Sequence, residues 1–134
     1  MDGNQQKAVE ATLYVATALP GVTSYALPRL VWLANRKKIA DYGSVVVEGG
    51  DYWGPNGSVG VTRVWNLLCV PSGKPWHILN YCVHPHRAAN PGILLGADAE
   101  CLDWAIEEYG TFSHKRLDEV VSGIVRLLPT EKGD

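Results

Sequence analysis

The stretch CVHPH, residues 82–86, is where metal or nucleophile chemistry would have to start. In an extended run Cys82, His84 and His86 point the same way, because side chains alternate across a strand. Pro85 also pushes His84 toward extended geometry. A thiol and two imidazoles are zinc-type ligands, but a zinc site needs three or four converging groups. Cys101, Asp98 or His77 could complete one, and nothing in the sequence brings them there. A nucleophilic Cys82–His84 pair lacks an evident orienting group and oxyanion donors. The expectation is no structural metal, no cofactor and no catalytic residue, with Cys82 buried at a strand end and the two histidines on a surface loop. A small zinc- or cysteine-dependent enzyme using Cys82, His84 and His86 is the alternative.

A second candidate is DYWGPNG, residues 51–57. A phosphate-cradling P-loop needs a lysine after its last glycine, and none follows. A nucleophile elbow needs G-x-S-x-G, and Ser58 stands in no such pattern. The stretch reads as a tight turn feeding the next element, with Tyr52 and Trp53 packing and the tip exposed enough to touch a partner. Glu100, Asp103 and Glu107 share one helix face by their spacing. They read as a solvated face, or as an acidic surface for a basic partner. SHKRL is odder: helix N-termini favour acidic side chains, and His114, Lys115 and Arg116 fill the first turn instead, at a cost of a few tenths to ~1 kcal/mol per charge. Such a cost hints at a function. Aromatic and arginine side chains carry interfaces disproportionately, so the candidate partner contacts are Trp53, Asn56, Trp65, His114, Lys115 and Arg116.

The elements that must position these residues belong to one domain. A chain of 134 residues with 46% apolar and 19% charged residues can bury a core and is not disordered. Residues 1–4 and 129–134 read as tails. A net charge of −2 argues against coating nucleic acid, and local patches such as NRKK and HKR make a direct nucleic-acid ligand only a weaker reading. The run ATLYVATAL is far shorter than the ~20 residues of a membrane span and follows no basic leader. Three cysteines without a CxxC read as reduced thiols. The expected setting is the cytoplasm, away from membranes.

Residues 4–18 carry apolar positions at helical spacing. Pro20 and Gly21 break that helix. A second begins near Ser24, keeps Pro28 in its first turn, is apolar nearly all round and so central, and stops by Gly43. SVVVEGGDYW predicts a hairpin turning at Gly49-Gly50. Residues 59–68 fit a strand or a helix capped by Ser58. WHILNYCVH predicts a strand. Residues 98–109 predict a helix with Gly110 just past its end, and Ser113 caps a last helix that Pro129 ends. The fold class is α+β: a predominantly helical single domain with a two- to three-stranded antiparallel sheet.

This order of pieces resembles the Panacea domain, the SocA-like family of antitoxins and phage-associated proteins. A helix like LPRLVWLANRKKIADYG, a short hairpin, an aromatic followed by Gly-Pro and then LDWAIEEYGTFSHKRL carry the likeness over roughly residues 5–125. Leu27, Leu30, Trp32, Tyr42, Gly43, Gly54 and Pro55 fall in matching places. The resemblance implies a non-enzymatic protein that neutralises a toxin by direct binding or hands it to a protease. A phage-encoded inhibitor of a host defence effector is the alternative within the same binding class.

Overall fold

Helix α2, Ala26–Tyr42, is the element around which the rest is built. The computed structural model describes residues 3–53, 59–70 and 72–128. Before α2 comes α1 (Gly3–Ala18); after it come β1 (Asp51–Trp53), β2 (Val59–Val61), α3 (Thr62–Cys69), β3 (Trp76–Leu79), β4 (Cys82–Pro85), α4 (Gly96–Tyr109) and α5 (His114–Leu127). Leu27, Leu30, Val31, Trp32, Leu33 and Ala34 are all buried. A helix apolar on every side must be covered on every side, and α2 packs against α1, α3, α4, α5 and β2. Each large side chain so buried is worth roughly 1.5–3 kcal/mol. Pro28 sits in the first turn, where its missing N–H costs no intrahelical bond. Gly43 ends the helix in the left-handed conformation, φ 81°, with its N–H donating to the Ile39 carbonyl. The fold is therefore the helix-rich α+β domain expected. Among the described residues, no helix is long and apolar enough to cross a membrane.

Several local expectations are corrected. Val45–Val47 form no strand. The Asn35 side chain, buried on α2, accepts from the Val46 and Val47 N–H groups and donates to the Val47 carbonyl. Those backbone groups are thereby withdrawn from any ladder. Gly49 and Gly50 do take positive φ, 115° and 83°, but they lead into β1 instead of closing a hairpin. The ribbon that forms is β1 against β2, antiparallel, with Asp51 opposite Val61. Its connection, residues 54–58, lies outside the described residues, as do Asn56 and Ser58. The ambiguity over 59–68 resolves into both halves: three strand residues, then a helix with Val61 at its N-cap and no side-chain cap, where Ser58 had been expected.

WHILNYCVH is a hairpin, not one strand. Asn80 and Tyr81 both adopt positive φ, 52° and 67°, which is the two-residue turn that fits the twist of a hairpin. Asn tolerates that conformation; Tyr does so at a cost. β3 and β4 pair antiparallel with His77 opposite His84. The linker before α2 runs beside β4, bridging Thr23 to Cys82. The small sheet is thus two separate two-stranded ribbons.

Helix α1 starts at Gly3, so residues 3 and 4 are helical and not a tail; residues 129–134 lie outside the described residues. Ser113 caps α5 as expected, its hydroxyl accepting from the Arg116 N–H at 3.2 Å. Gly110 follows α4 but keeps right-handed helical geometry, φ −64°. Its requirement is space: a Cβ there would lie 2.4 Å from the Ile106 carbonyl and 2.9 Å from Leu19 Cδ2.

Candidate functional site

Two exposed tyrosines, Tyr25 and Tyr81, meet the partly buried Trp65 where α2, α3 and the β3–β4 turn come together. Tyr25, Trp65, Leu68, Cys69, Ile78 and Tyr81, with Ser24, line a groove of about 320 Å³. Backbone bonds fix its walls: the Ser24 N–H donates to the Tyr81 carbonyl, and the Val83 N–H to the Val22 carbonyl. These bonds hold the Tyr81 ring 5.5 Å from that of Tyr25. Tyr81 remains 62% exposed despite its costly backbone conformation, so the strain is not repaid by burial. On the other side, Tyr52 packs 5.2 Å from Trp65.

Behind this wall lies a charged support. Buried Arg29 pairs with Asp118 and donates to the Tyr25 carbonyl and the Tyr52 hydroxyl. Burial is the main reason the Tyr52 phenol is pushed above its ordinary value, partly offset by Arg29. Asp118 also pairs with His114 at 3.2 Å, and His114 stacks on Tyr25 with ring centroids 5.4 Å apart.

Of the expected contacts, Trp65 and His114 are therefore brought to one surface, joined through Tyr25, Tyr52 and Arg29. Trp53 stands 68% exposed at the end of β1, so of the pair expected to pack only Tyr52 does. Asn56 lies outside the described residues. The basic first turn of α5 is less anomalous than its sequence implies. His114 has Asp118 and Tyr25, and the Arg116 guanidinium lies 4.1 Å from the Phe112 ring centroid. Lys115 is exposed beside a depression that also includes Asp118, Glu119, Ser122 and Arg126. The sequence gives no sign of Tyr25 and Tyr81 as site residues; the only available signal was a tyrosine beside asparagine in a segment that had to turn.

The histidines do gather, with a member the CVHPH stretch does not contain. His77 stacks on His84 at 4.8 Å and on His86 at 5.1 Å, and its Nδ1 lies 2.9 Å from His86 Nε2. Cross-strand pairing places His77 there, and the reading of WHILNYCVH as one strand hid it. Cys82 is half-buried on the same face of β4, and His84 lies inside the strand, not on a loop. The fully buried thiol is Cys101, which burial chiefly pushes up. His77 Nδ1 and His86 Nε2 are spent on each other, and among the described residues no group of three or more ligating side chains is arranged to hold a metal ion.

Two buried ionic clusters escaped the sequence reading. Asp98 has no exposed surface, yet Lys7 and Lys38 approach it to 2.7 and 2.8 Å, and it accepts from the Leu95 N–H. Burial pushes its carboxyl up, but Lys38, Lys7 and the Leu95 N–H outweigh that and hold it below the ordinary value. Buried Glu10 takes both arms of the Arg87 guanidinium and the Asn90 N–H, and the Arg87 bonds are the main cause of its lowered carboxyl. The two clusters tie α1, α2, α4 and the loop after β4 together. The acidic face of α4 is partly bound as well, Asp103 accepting from Tyr14 and Glu100 from Tyr42. No protein-family model, curated protein or solved structure matches this chain.

Proposed function

We propose that this protein is a non-enzymatic binding protein that inhibits a protein partner through its aromatic surface. It acts as an antitoxin of the SocA/Panacea type, occluding a toxin or steering it to a protease. The observation that carries the reading is the groove of Tyr25, Trp65 and Tyr81, in which an exposed tyrosine occupies a turn position that favours glycine. Interfaces draw their energy from such rigid aromatic anchors. His114 and Lys115 extend the surface on the α5 side and favour a partner with acidic groups at the rim. Within the same class, a phage-encoded inhibitor would use this surface against a host defence effector.

The experiment is affinity capture from the native host, then titration of the recovered partner. Tyr81→Gly is the decisive variant, because it removes the ring and relaxes the turn, so the fold keeps or gains stability. Loss of affinity by tenfold or more is expected, about 1.4 kcal/mol. A stoichiometric complex indifferent to Tyr81→Gly and Trp65→Ala would sink the proposal. The histidine cluster is the one feature that favours the enzymatic alternative, and turnover lost in His84→Ala would decide for it.

A further inference from the structure

On the opposite side of α3 from the aromatic groove is a polar concavity of about 380 Å³. It is lined by Gln5, Gly49, Thr62, Arg63, Asn66, Leu67 and Lys74. Two of these residues are cationic, three more carry neutral hydrogen-bonding side chains, and none is a carboxylate. That is notable in a chain with 14 acidic residues against 12 basic ones.

Arg63 is held in place by neutral groups. Its Nε donates to the Glu48 carbonyl at 3.1 Å and its Nη1 to Gln5 Oε1 at 3.2 Å. Among the described residues no carboxylate lies within ion-pair distance of it, whereas Arg29 and Arg87 are each paired with one. The guanidinium rests on Gly49, where a Cβ would lie 2.8 Å from Nε and 3.3 Å from Nη2. A positive φ of 115° and this close approach both call for glycine there. Among the described residues the planar guanidinium is thus oriented without being neutralised, and Nη2 has no acceptor. Lys74, half-buried in the turn before β3, has no carboxylate within ion-pair distance among the described residues and faces the same space.

We infer that this concavity is a binding site for a tetrahedral oxyanion of the phosphate type, either the free ion or a small phosphate monoester. Arg63 offers its remaining nitrogen, Nη2, as a charged donor to one oxygen, and Lys74 supplies a point charge to another. Thr62, Asn66 and Gln5 offer neutral polar groups around it. Two cations in a concavity of this size suit one phosphate group; a nucleic-acid backbone would need a longer basic track.

The test is calorimetric titration of the full chain with inorganic phosphate and, separately, with glycerol 3-phosphate, chloride being used to match ionic strength. Saturable binding of either probe is expected. Binding of inorganic phosphate alone identifies the free ion as ligand, and binding of both identifies the monoester. Lys74→Gln should weaken binding by about tenfold or more, because a charge-assisted contact is lost. Lys115→Gln makes the same charge change outside the concavity and should leave binding unaltered. Arg63→Gln also releases the Glu48 carbonyl, so Lys74→Gln is the arbiter if that variant unfolds. No saturable heat with either probe, or equal weakening in Lys74→Gln and Lys115→Gln, would overturn the assignment.

Discussion

Replacing Asp98 by asparagine keeps the side chain's size and an acceptor for the Leu95 N–H, and removes only the charge. Lys38 is then left buried with the Val45 carbonyl, 3.2 Å away, as its remaining acceptor, while Lys7 is one-fifth exposed and can turn to water. Removing one partner of a buried ion pair costs about 3–5 kcal/mol, because the other charge stays buried and uncompensated. Lys7's exit to solvent places Asp98→Asn at the lower end, about 3 kcal/mol. Unfolding entropy of about 2.1 cal/mol/K per residue gives roughly 0.28 kcal/mol/K for this chain, so Tm should fall by roughly 11 °C. The pH dependence carries the sign independently. A carboxyl held below its ordinary value contributes stability that is present above about pH 4, the unfolded value, and is lost as pH falls through the lower folded value. Asp98→Asn should therefore flatten the acid limb of the stability curve, and the gap between variant and parent should close toward low pH. Urea unfolding of both proteins at pH 7 and across the acid range measures this. A cost below about 1 kcal/mol at pH 7, or a gap independent of pH, would refute the claim that the charge cluster holds α1, α2 and α4 together.

Gly110→Ala, which on helix propensity alone would stabilise, should instead cost about 1–3 kcal/mol by overpacking against Ile106 and Leu19, and a higher melting temperature would contradict the close approach. Lys115→Glu should raise stability by a few tenths to ~1 kcal/mol at the helix start while weakening partner binding. Arg116→Glu should fail to show the same stability gain, because it forfeits the contact with Phe112. The Tyr14 phenol is pushed up to about 12, first by burial and then by its bond to Asp103. A raised tyrosine holds its proton longer folded than unfolded, so stability should drop between about pH 10 and pH 12, and Tyr14→Phe should lessen that drop. Incubation with a strong chelator should leave the melting curve unchanged; a fall in Tm restored by zinc would overturn the expectation of no structural metal.

What the sequence made legible was whatever depends on local pattern. The α2 pattern was unbroken enough to place that helix at the centre, and Gly43 and Ser113 marked ends that backbone chemistry dictates. The α3 region looked like strand and helix at once because it is both, in succession. What stayed hidden depends on partners distant in sequence. SVVV has every local mark of a strand, yet Asn35 takes two of its N–H groups from 11 and 12 residues away, and no propensity registers that competition. His77 joined the other histidines only through cross-strand register, which turns on recognising Asn80-Tyr81 as a turn without glycine. Buried Lys38 and the buried carboxylates were invisible for the same reason: NRKK reads as a solvated end until Asp98 is known to lie beneath it.

That pattern of failure also bears on the proposed binding surface. Where local preference and observed conformation agree, packing is sufficient explanation, as in α2 or the Ser113 cap. Where they disagree and burial repays the cost, as at Asp98 and Gly110, the reason is structural. Tyr81 is the position where they disagree and burial does not repay it, since the ring is mostly in water. The basic first turn of α5 looked like a second such case from sequence, but His114 and Arg116 have partners that account for them, and only Lys115 keeps the original puzzle. The proposed binding surface therefore centres on the aromatic turn and not on the charge cluster. Tyr81→Gly is expected to raise stability and abolish tight partner binding in the same molecule, whereas a structural role for the ring would make both fall together.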